Sequence, residues 1–328
     1  MEKNYQNQII IDGLQYCNWN REIFEDLWKG GITAVHATLV YWENTEESFN
    51  KIEEWKTRFN ENKDIICHAK TTEDIKNAKK NNKVAILFGF QNSLPIGNDI
   101  YLLESFFEKG LRFMQLTYNN QTSLGGGCFE LKDSGISRFG KEVIEEMNRL
   151  GMIVDLSHAG KKTSLDAIHF SSKPVAISHA NPSFFHKSIR NVDDDVLIEL
   201  SKKNGFIGLS LYPYHIKNLG KCNIDDYCLM IKQLINLIGI EHIGIGSDLC
   251  KNWSNEVVMW MRNGKWTKKI DYGESKSKSS KWPEQQPWFT KGSDIKNIFE
   301  SLVLNGLKED QALRILGKNW FDFMKNHF

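Results

Sequence analysis

The sequence predicts a single-domain (β/α)8 barrel, and three observations carry that prediction. Eight short β-branched or aliphatic runs alternate with segments of helical period along the 328 residues. Several runs, such as Val84-Ala85-Ile86-Leu87-Phe88, are apolar without interruption, as strands are when a parallel sheet is covered on both faces. Eight such units favour closure over an open doubly wound sheet, and no glycine-rich GxGxxG follows the first strand. With 41% hydrophobic and 25% charged residues, the chain can bury the core that one barrel domain over 1–328 requires.

Taken in order, the predicted strands are Gln8 to Ile11, Ala34 to Val40, Val84 to Phe90, Phe113 to Thr117, Met152 to Leu156, Pro174 to Ser178, Phe206 to Leu211 and His242 to Ser247. Amphipathic stretches lie between them. Phe49, Ile52, Trp55 and Phe59 recur at helical spacing, as do Val143, Ile144, Met147 and Leu150, where Gly151 ends the helix. After the eighth strand the rhythm stops. Residues 250–293 are rich in lysine, serine, glycine and proline, yet hold Trp253, Trp260, Trp266, Trp282 and Trp288, half of the chain's ten tryptophans. Such aromatic density fits a lid over the catalytic face or a subunit interface better than disorder.

Charge and cysteine content narrow the function. Lysine and arginine number 42 against 41 acidic residues, a net charge of +1 that offers no footprint for nucleic acid or an anionic membrane. A small-molecule partner is expected. No apolar run has the length of a membrane span, and Met1 to Gln8 is too polar for a signal peptide, so the expected location is the cytoplasm. Six cysteines without a CxxC pair, Cys17, Cys67, Cys128, Cys222, Cys228 and Cys250, fit reduced thiols. The lysine runs at Lys76 to Lys83 and Lys276 to Lys281 read as solvated faces.

In a barrel of this kind chemistry belongs at the C-terminal ends of the strands. There the sequence places Asp155-Leu156-Ser157-His158 after strand five, Ser178-His179 after strand six and Gly246-Ser247-Asp248 after strand eight. Two imidazoles and a carboxylate from neighbouring strand ends are the ligand types that hold a catalytic zinc with a position open for water. His36, His68, His169, His186 and His327 have no partner at ligand spacing and read as structural or exposed; His215, after Leu211-Tyr212-Pro213-Tyr214, is a candidate substrate contact.

The stretches Phe139 to Val143, Glu146 to His158, Pro174 to His179, Arg190-Asn191 and His242 to Asp248 resemble the membrane (renal) dipeptidase family, peptidase family M19 of the metal-dependent amidohydrolases. The resemblance implies that His158 and His179 bind one zinc, that Asp248 binds metal and takes part in proton transfer, and that Arg190 grips a substrate carboxylate through its guanidinium fork. It also implies a homodimer. Three departures are plain. The family's Asp-Gly-His-x-Asp motif supplies two zinc ligands, but here Asp12-Gly13 is followed by Leu14, Gln15 and Tyr16. Gln91 stands where a glutamate bridges two metals, and Tyr118 where a histidine polarises the substrate carbonyl.

A neutral amide does not supply the anionic field that holds two dications together, so one zinc per chain is expected, on His158, His179 and Asp248 with Gln91 as a possible fourth ligand. Asp248 would accept the proton of the attacking water while Tyr118 donates to the developing oxyanion. Arg190, Tyr16 and Asn119 are the expected substrate contacts. Cys250 and Cys17 lie near strand ends at the same mouth, but strand alternation sets Cys17 on the face opposite Leu14 and Tyr16, which leaves Cys250 as the thiol candidate. The leading expectation is a mono-zinc hydrolase of dipeptides or small amides. Two others stand beside it: a non-peptidase enzyme whose Leu14, Tyr16, Tyr118 and lid tryptophans take an N-methylated amino acid, and a metal-free binding protein.

Overall fold

The structure is a computed structural model and describes residues 5, 7–219, 221–263 and 281–328. Ten parallel strands form one sheet: β1 (Ile11–Cys17), β2 (Ala34–Val40), β3 (Ile66–His68), β4 (Val84–Phe90), β5 (Leu111–Gln115), β6 (Ile153–Asp155), β7 (Ala176–Ala180), β8 (Phe206–Leu209), β9 (Ile243–Ile245) and β10 (Leu249–Lys251). The order β1-β2-β4-β5-β6-β7-β8-β9 closes on itself where Asp12 pairs with Ile245, giving the eight-stranded barrel that the alternation predicts. β3 runs beside the start of β4, and β10 continues the sheet beside the end of β1.

The helices between strands start and stop on local signals. Asn44 and Glu47 form a capping box at the head of the helix Thr45–Glu61. Ser137 caps Arg138–Leu150, which ends at Gly151 with φ 85°, the left-handed position that glycine adopts at no steric cost.

Trp320, from the C-terminal helix Asn319–Lys325, plugs the floor of the barrel. Its Nε1 donates to Ile245 O at 2.8 Å, and a Cβ at Gly13 would fall 2.4 Å from its ring. Glycine at that position is therefore what lets β1 pass the indole. Floor residues Ile11, Ala34, Phe113, Ile153 and Phe206 pack with it. The floor is sealed, so the C-terminal strand ends are left for chemistry.

The first strand departs from its predicted bounds, running over Ile11–Cys17 instead of Gln8 to Ile11. Asp12 and Gln15 break the apolar pattern there, but both are satisfied inside the barrel. Asp12 accepts from Gln15 Nε2 (2.8 Å), Ser247 N (2.7 Å) and Ser247 Oγ (2.5 Å), which clamps β1 to the end of β9 where the barrel closes.

Part of the segment after β9 also has structure that periodicity did not show. The helix Asn255–Asn263 sends Val258 and Met261 into a cluster with Tyr16, Tyr41, Trp42 and Tyr118, against which Trp253, Trp260 and Trp282 pack. Trp288 instead packs on Tyr227 and donates to Cys222 O (2.8 Å), while Trp266 and residues 276–280 lie outside the described residues. Among the described residues no helix is long and apolar enough to cross a membrane.

Candidate active site

Asp155, at the end of β6, sets the local geometry. One carboxylate oxygen accepts the backbone N–H groups of Ser157 (3.0 Å) and Ser178 (2.9 Å), and the other accepts Ser178 Oγ (2.5 Å) and Gln115 Nε2 (3.0 Å). Both strand ends are thereby tied to one fully buried anion. His158 then turns with φ 66°, and Asn119 and Asp248 at other strand ends have φ 61° and 55°. Side chains rarely adopt this left-handed region, and the cost is of the kind that clusters at functional sites.

These turns bring two imidazoles together. His158 Nε2 lies 3.0 Å from His179 Nε2; His158 Nδ1 lies 2.6 Å from Asn119 Oδ1; His179 Nδ1 lies 2.8 Å from Ser178 Oγ. The partners decide the tautomers. An amide oxygen accepts, so His158 carries its hydrogen on Nδ1. Ser178 Oγ commits its own hydrogen to Asp155 and therefore accepts from His179 Nδ1. Both Nε2 atoms are left with lone pairs, pointing at each other. Two acceptors at that separation repel unless a cation lies between them.

A proton is a poor cation for this place. Burial, and after it the Arg190 guanidinium, hold both imidazoles well below the usual histidine range. The donor set therefore fits one dication on a pair of neutral imidazoles whose second nitrogens are fixed by hydrogen bonds, the usual arrangement of metal-binding histidines. Tyr16 packs among aromatic rings, with Tyr41 at 4.6 Å and Trp253 at 4.8 Å between ring centroids. Gln91 donates its amide to Thr38 Oγ1 (2.8 Å) and the Tyr41 hydroxyl (2.9 Å). Among the described residues no three His, Cys, Asp or Glu side chains gather as a metal cluster, so Asp248 is not drawn in with the two histidines.

The other expected residues fall into two groups. Arg190 is buried beside the pair, its Nη2 donating to His179 O at 3.2 Å, and the Tyr118 ring lies 4.2 Å from that of His158. Asp248 is buried at the mouth, where its backbone N–H reaches Leu14 O (3.0 Å) and Cys250 Sγ contacts its carbonyl (3.6 Å). Cys17 is not at the mouth. It sits in the main core, its Sγ on Leu249 O at 3.4 Å, and burial pushes the thiol far above its ordinary range.

Sequence reasoning named Asn119 and His215 as substrate-contact candidates and missed Tyr41, Trp42 and the part played by Ser178. Asn119 and Ser178 orient the imidazoles. Tyr41 and Trp42 wall the mouth: Glu43 accepts both of their backbone N–H groups, and Trp42 Nε1 donates to Met261 O (2.9 Å), which fastens the closing helix. Their position directly after the second predicted strand was the available signal. His215 is fully buried on Ser210 Oγ (2.8 Å).

Comparison with known proteins agrees with this fold. The family model described as membrane dipeptidase, peptidase family M19, matches residues 21–255 and so ends where the closing helix begins. An uncharacterised dipeptidase of Schizosaccharomyces pombe is 36% identical over 179 residues, 52% of this chain and 42% of the relative; the chain spans about half the length of the curated relatives it matches. A crystal structure of an amidohydrolase from Pseudomonas aeruginosa superposes with a TM-score of 0.93 at 33% identity, covering 99% of this chain and 98% of the other. A metallopeptidase from Rhodobacter sphaeroides, liganded with a phosphinate mimic of L-Ala-D-Ala, shares the fold: TM-score 0.81, 15% identity, 98% of this chain and 100% of that one.

Proposed function

Since the chain belongs to the membrane dipeptidase family, peptidase family M19, we propose that it is a metal-dependent hydrolase of a dipeptide or related small amide, working with one zinc ion between His158 and His179. The observation that carries this reading is the pair of Nε2 lone pairs facing each other at 3.0 Å, with both tautomers set from behind. A dication held there supplies a Lewis acid for the scissile carbonyl.

The chain's own residues do the rest. Arg190 takes the substrate carboxylate, bidentate geometry giving orientation as well as affinity. Asp248, at the strand end across the mouth, accepts the proton of the attacking water. Tyr118 donates its hydroxyl to the oxyanion, and a tilted contact with the His158 ring at 4.2 Å and an edge-on contact with Trp42 at 5.2 Å hold its ring in place. Tyr16 borders the substrate, while Asn119 serves through His158. The aromatic cluster and the closing helix keep bulk water from the pair, so each polar contact acts in a low-dielectric setting.

Elemental analysis of the chelator-stripped and zinc-reconstituted protein, run with a dipeptide hydrolysis assay, tests the reading. Wild type should hold about one zinc per chain. His158→Ala and His179→Ala should each lose both zinc and turnover. Two zincs per chain, or stoichiometric zinc in either variant, would refute the single-ion arrangement; no zinc in wild type would refute the hydrolase.

A further inference from the structure

We infer that a cavity on the N-terminal face of the barrel, between the end of the helix Arg21–Lys29 and the start of β4, binds a small phosphate-bearing polyanion. The cavity has a volume of about 650 Å³. That is within the range of small-molecule sites, roughly 300–1,000 Å³. Thr33 and Lys83, which line it, directly precede β2 and β4. His158 and His179 belong to the opposite ends of the strands, beyond the floor that Trp320 plugs. The cavity is therefore a separate site, and it owes nothing to the dipeptide reading.

The lining sets the sign of the ligand. Lys29, Lys79, Lys83 and Lys296 all face the cavity, and among the described residues no carboxylate lines it. Lys29 ends the helix Arg21–Lys29, Lys79 lies in Thr72–Lys80, Lys83 stands before β4 and Lys296 opens Ile295–Leu304, so the fold and not one run of sequence gathers them. A chain with a net charge of +1 thus concentrates four cations on one hollow. Ion pairs offset little of this charge. Glu25 is 3.8 Å from Lys29 and is held at 2.8 Å by Arg21, while Glu300 is 3.7 Å from Lys296; pairs this long and exposed contribute little. Lys83 Nζ donates to a neutral acceptor, Lys63 O, at 2.5 Å. Lys79 and Lys83 belong to the run expected to be a solvated face, yet both are half-buried, and burial holds Lys79 below its ordinary range. An anion between these ammonium groups replaces the hydration they have given up, in a setting where charges attract more strongly than in water. Trp28 adds a flat wall. It is 40% exposed, and its Nε1 donates to Asn82 O at 3.0 Å, which fixes the indole for stacking by a planar ring.

Calorimetry on the full-length, chelator-stripped chain at fixed ionic strength tests the cavity, with inorganic tripolyphosphate and adenosine triphosphate as probes. Wild type should bind tripolyphosphate once per chain. Lys79→Gln with Lys83→Gln, and separately Lys29→Gln with Lys296→Gln, should each weaken that binding about tenfold or more. Lys56→Gln with Lys202→Gln removes the same charge outside the cavity, from exposed lysines paired with Glu53 and Glu199, and should change the affinity by less than about twofold. Tighter binding of adenosine triphosphate, lost in Trp28→Ala, would support a ring-bearing phosphate ester as the occupant, and equal binding of the two probes would support a phosphate chain alone. No binding of tripolyphosphate by wild type, unchanged affinity in both cavity pairs, or an equal loss in the control pair overturns the inference.

Discussion

Ser178→Ala should weaken zinc binding out of proportion to its effect on the fold. In the buried interior the Ser178 hydroxyl donates to Asp155 at 2.5 Å and accepts from His179 Nδ1 at 2.8 Å, so it carries the pull of a carboxylate onto a ring that does not touch that carboxylate. Alanine removes a charge-assisted hydrogen bond and leaves a buried ring N–H without an acceptor. Terms of about 1.5–3 and 1–3 kcal/mol put the loss of stability at about 2.5–6 kcal/mol. The orienting loss is distinct and should cost about 10–100-fold in zinc affinity. Ser157→Ala is the matched control. Its hydroxyl also donates to Asp155 (2.9 Å) but accepts the backbone N–H of His179 (3.1 Å) and no ring nitrogen. Urea unfolding of the stripped proteins and competition with a chromophoric chelator give the two quantities separately. Comparable destabilisation in both variants, with affinity lost chiefly in Ser178→Ala, is the expected pattern. Unchanged affinity in Ser178→Ala, or equal loss in both, would refute the relay.

Asp12→Ala should destabilise the chain by about 3 kcal/mol or more, because Ser247 N–H, Ser247 Oγ and the Gln15 amide all lose a buried acceptor at the barrel closure; a cost below about 1 kcal/mol in denaturant titration would contradict the clamp. The stripped protein should lose stability on acidification from pH 6.5 to 5. Burial lowers His36 and His68 to about 4, so across this window the unfolded chain binds protons that the folded one does not, and each histidine contributes a slope of about 1.4 kcal/mol per pH unit. The contribution is fully present above about pH 6.5, and an unfolding free energy that is flat between the two pH values would refute it.

The barrel was legible because its strands are mostly buried on both faces and read as apolar runs, and because His158 and His179 fall at strand ends where a barrel exposes chemistry. What stayed hidden depends on distant segments meeting. The mouth cluster draws Tyr16, Tyr41, Trp42, Tyr118 and the closing helix from four parts of the chain, and no local period announces such a wall. β3 spans only Ile66–His68, too short for an apolar run to stand out. β1 was misplaced at its start because Asp12 and Gln15 look unlike strand residues until Ser247, far along the chain, supplies their partner.

The same contact assigns β1 its structural duties. Asp12 holds the closure and Gly13 makes room for Trp320, duties that belong to the barrel whatever it binds. Leu14 and Tyr16 lie on the same strand, and neither side chain makes the closure contact with Ser247. On the other side of the barrel the structural anion is Asp155, and there structure and chemistry are not separable: the hydroxyl that ties β7 to Asp155 also sets the tautomer of His179. A change at that aspartate would reach the imidazole pair, whereas a change at Leu14 or Tyr16 would leave those hydrogen bonds standing. That asymmetry makes the end of β6, and not β1, the part of the barrel on which the order of the imidazole pair depends.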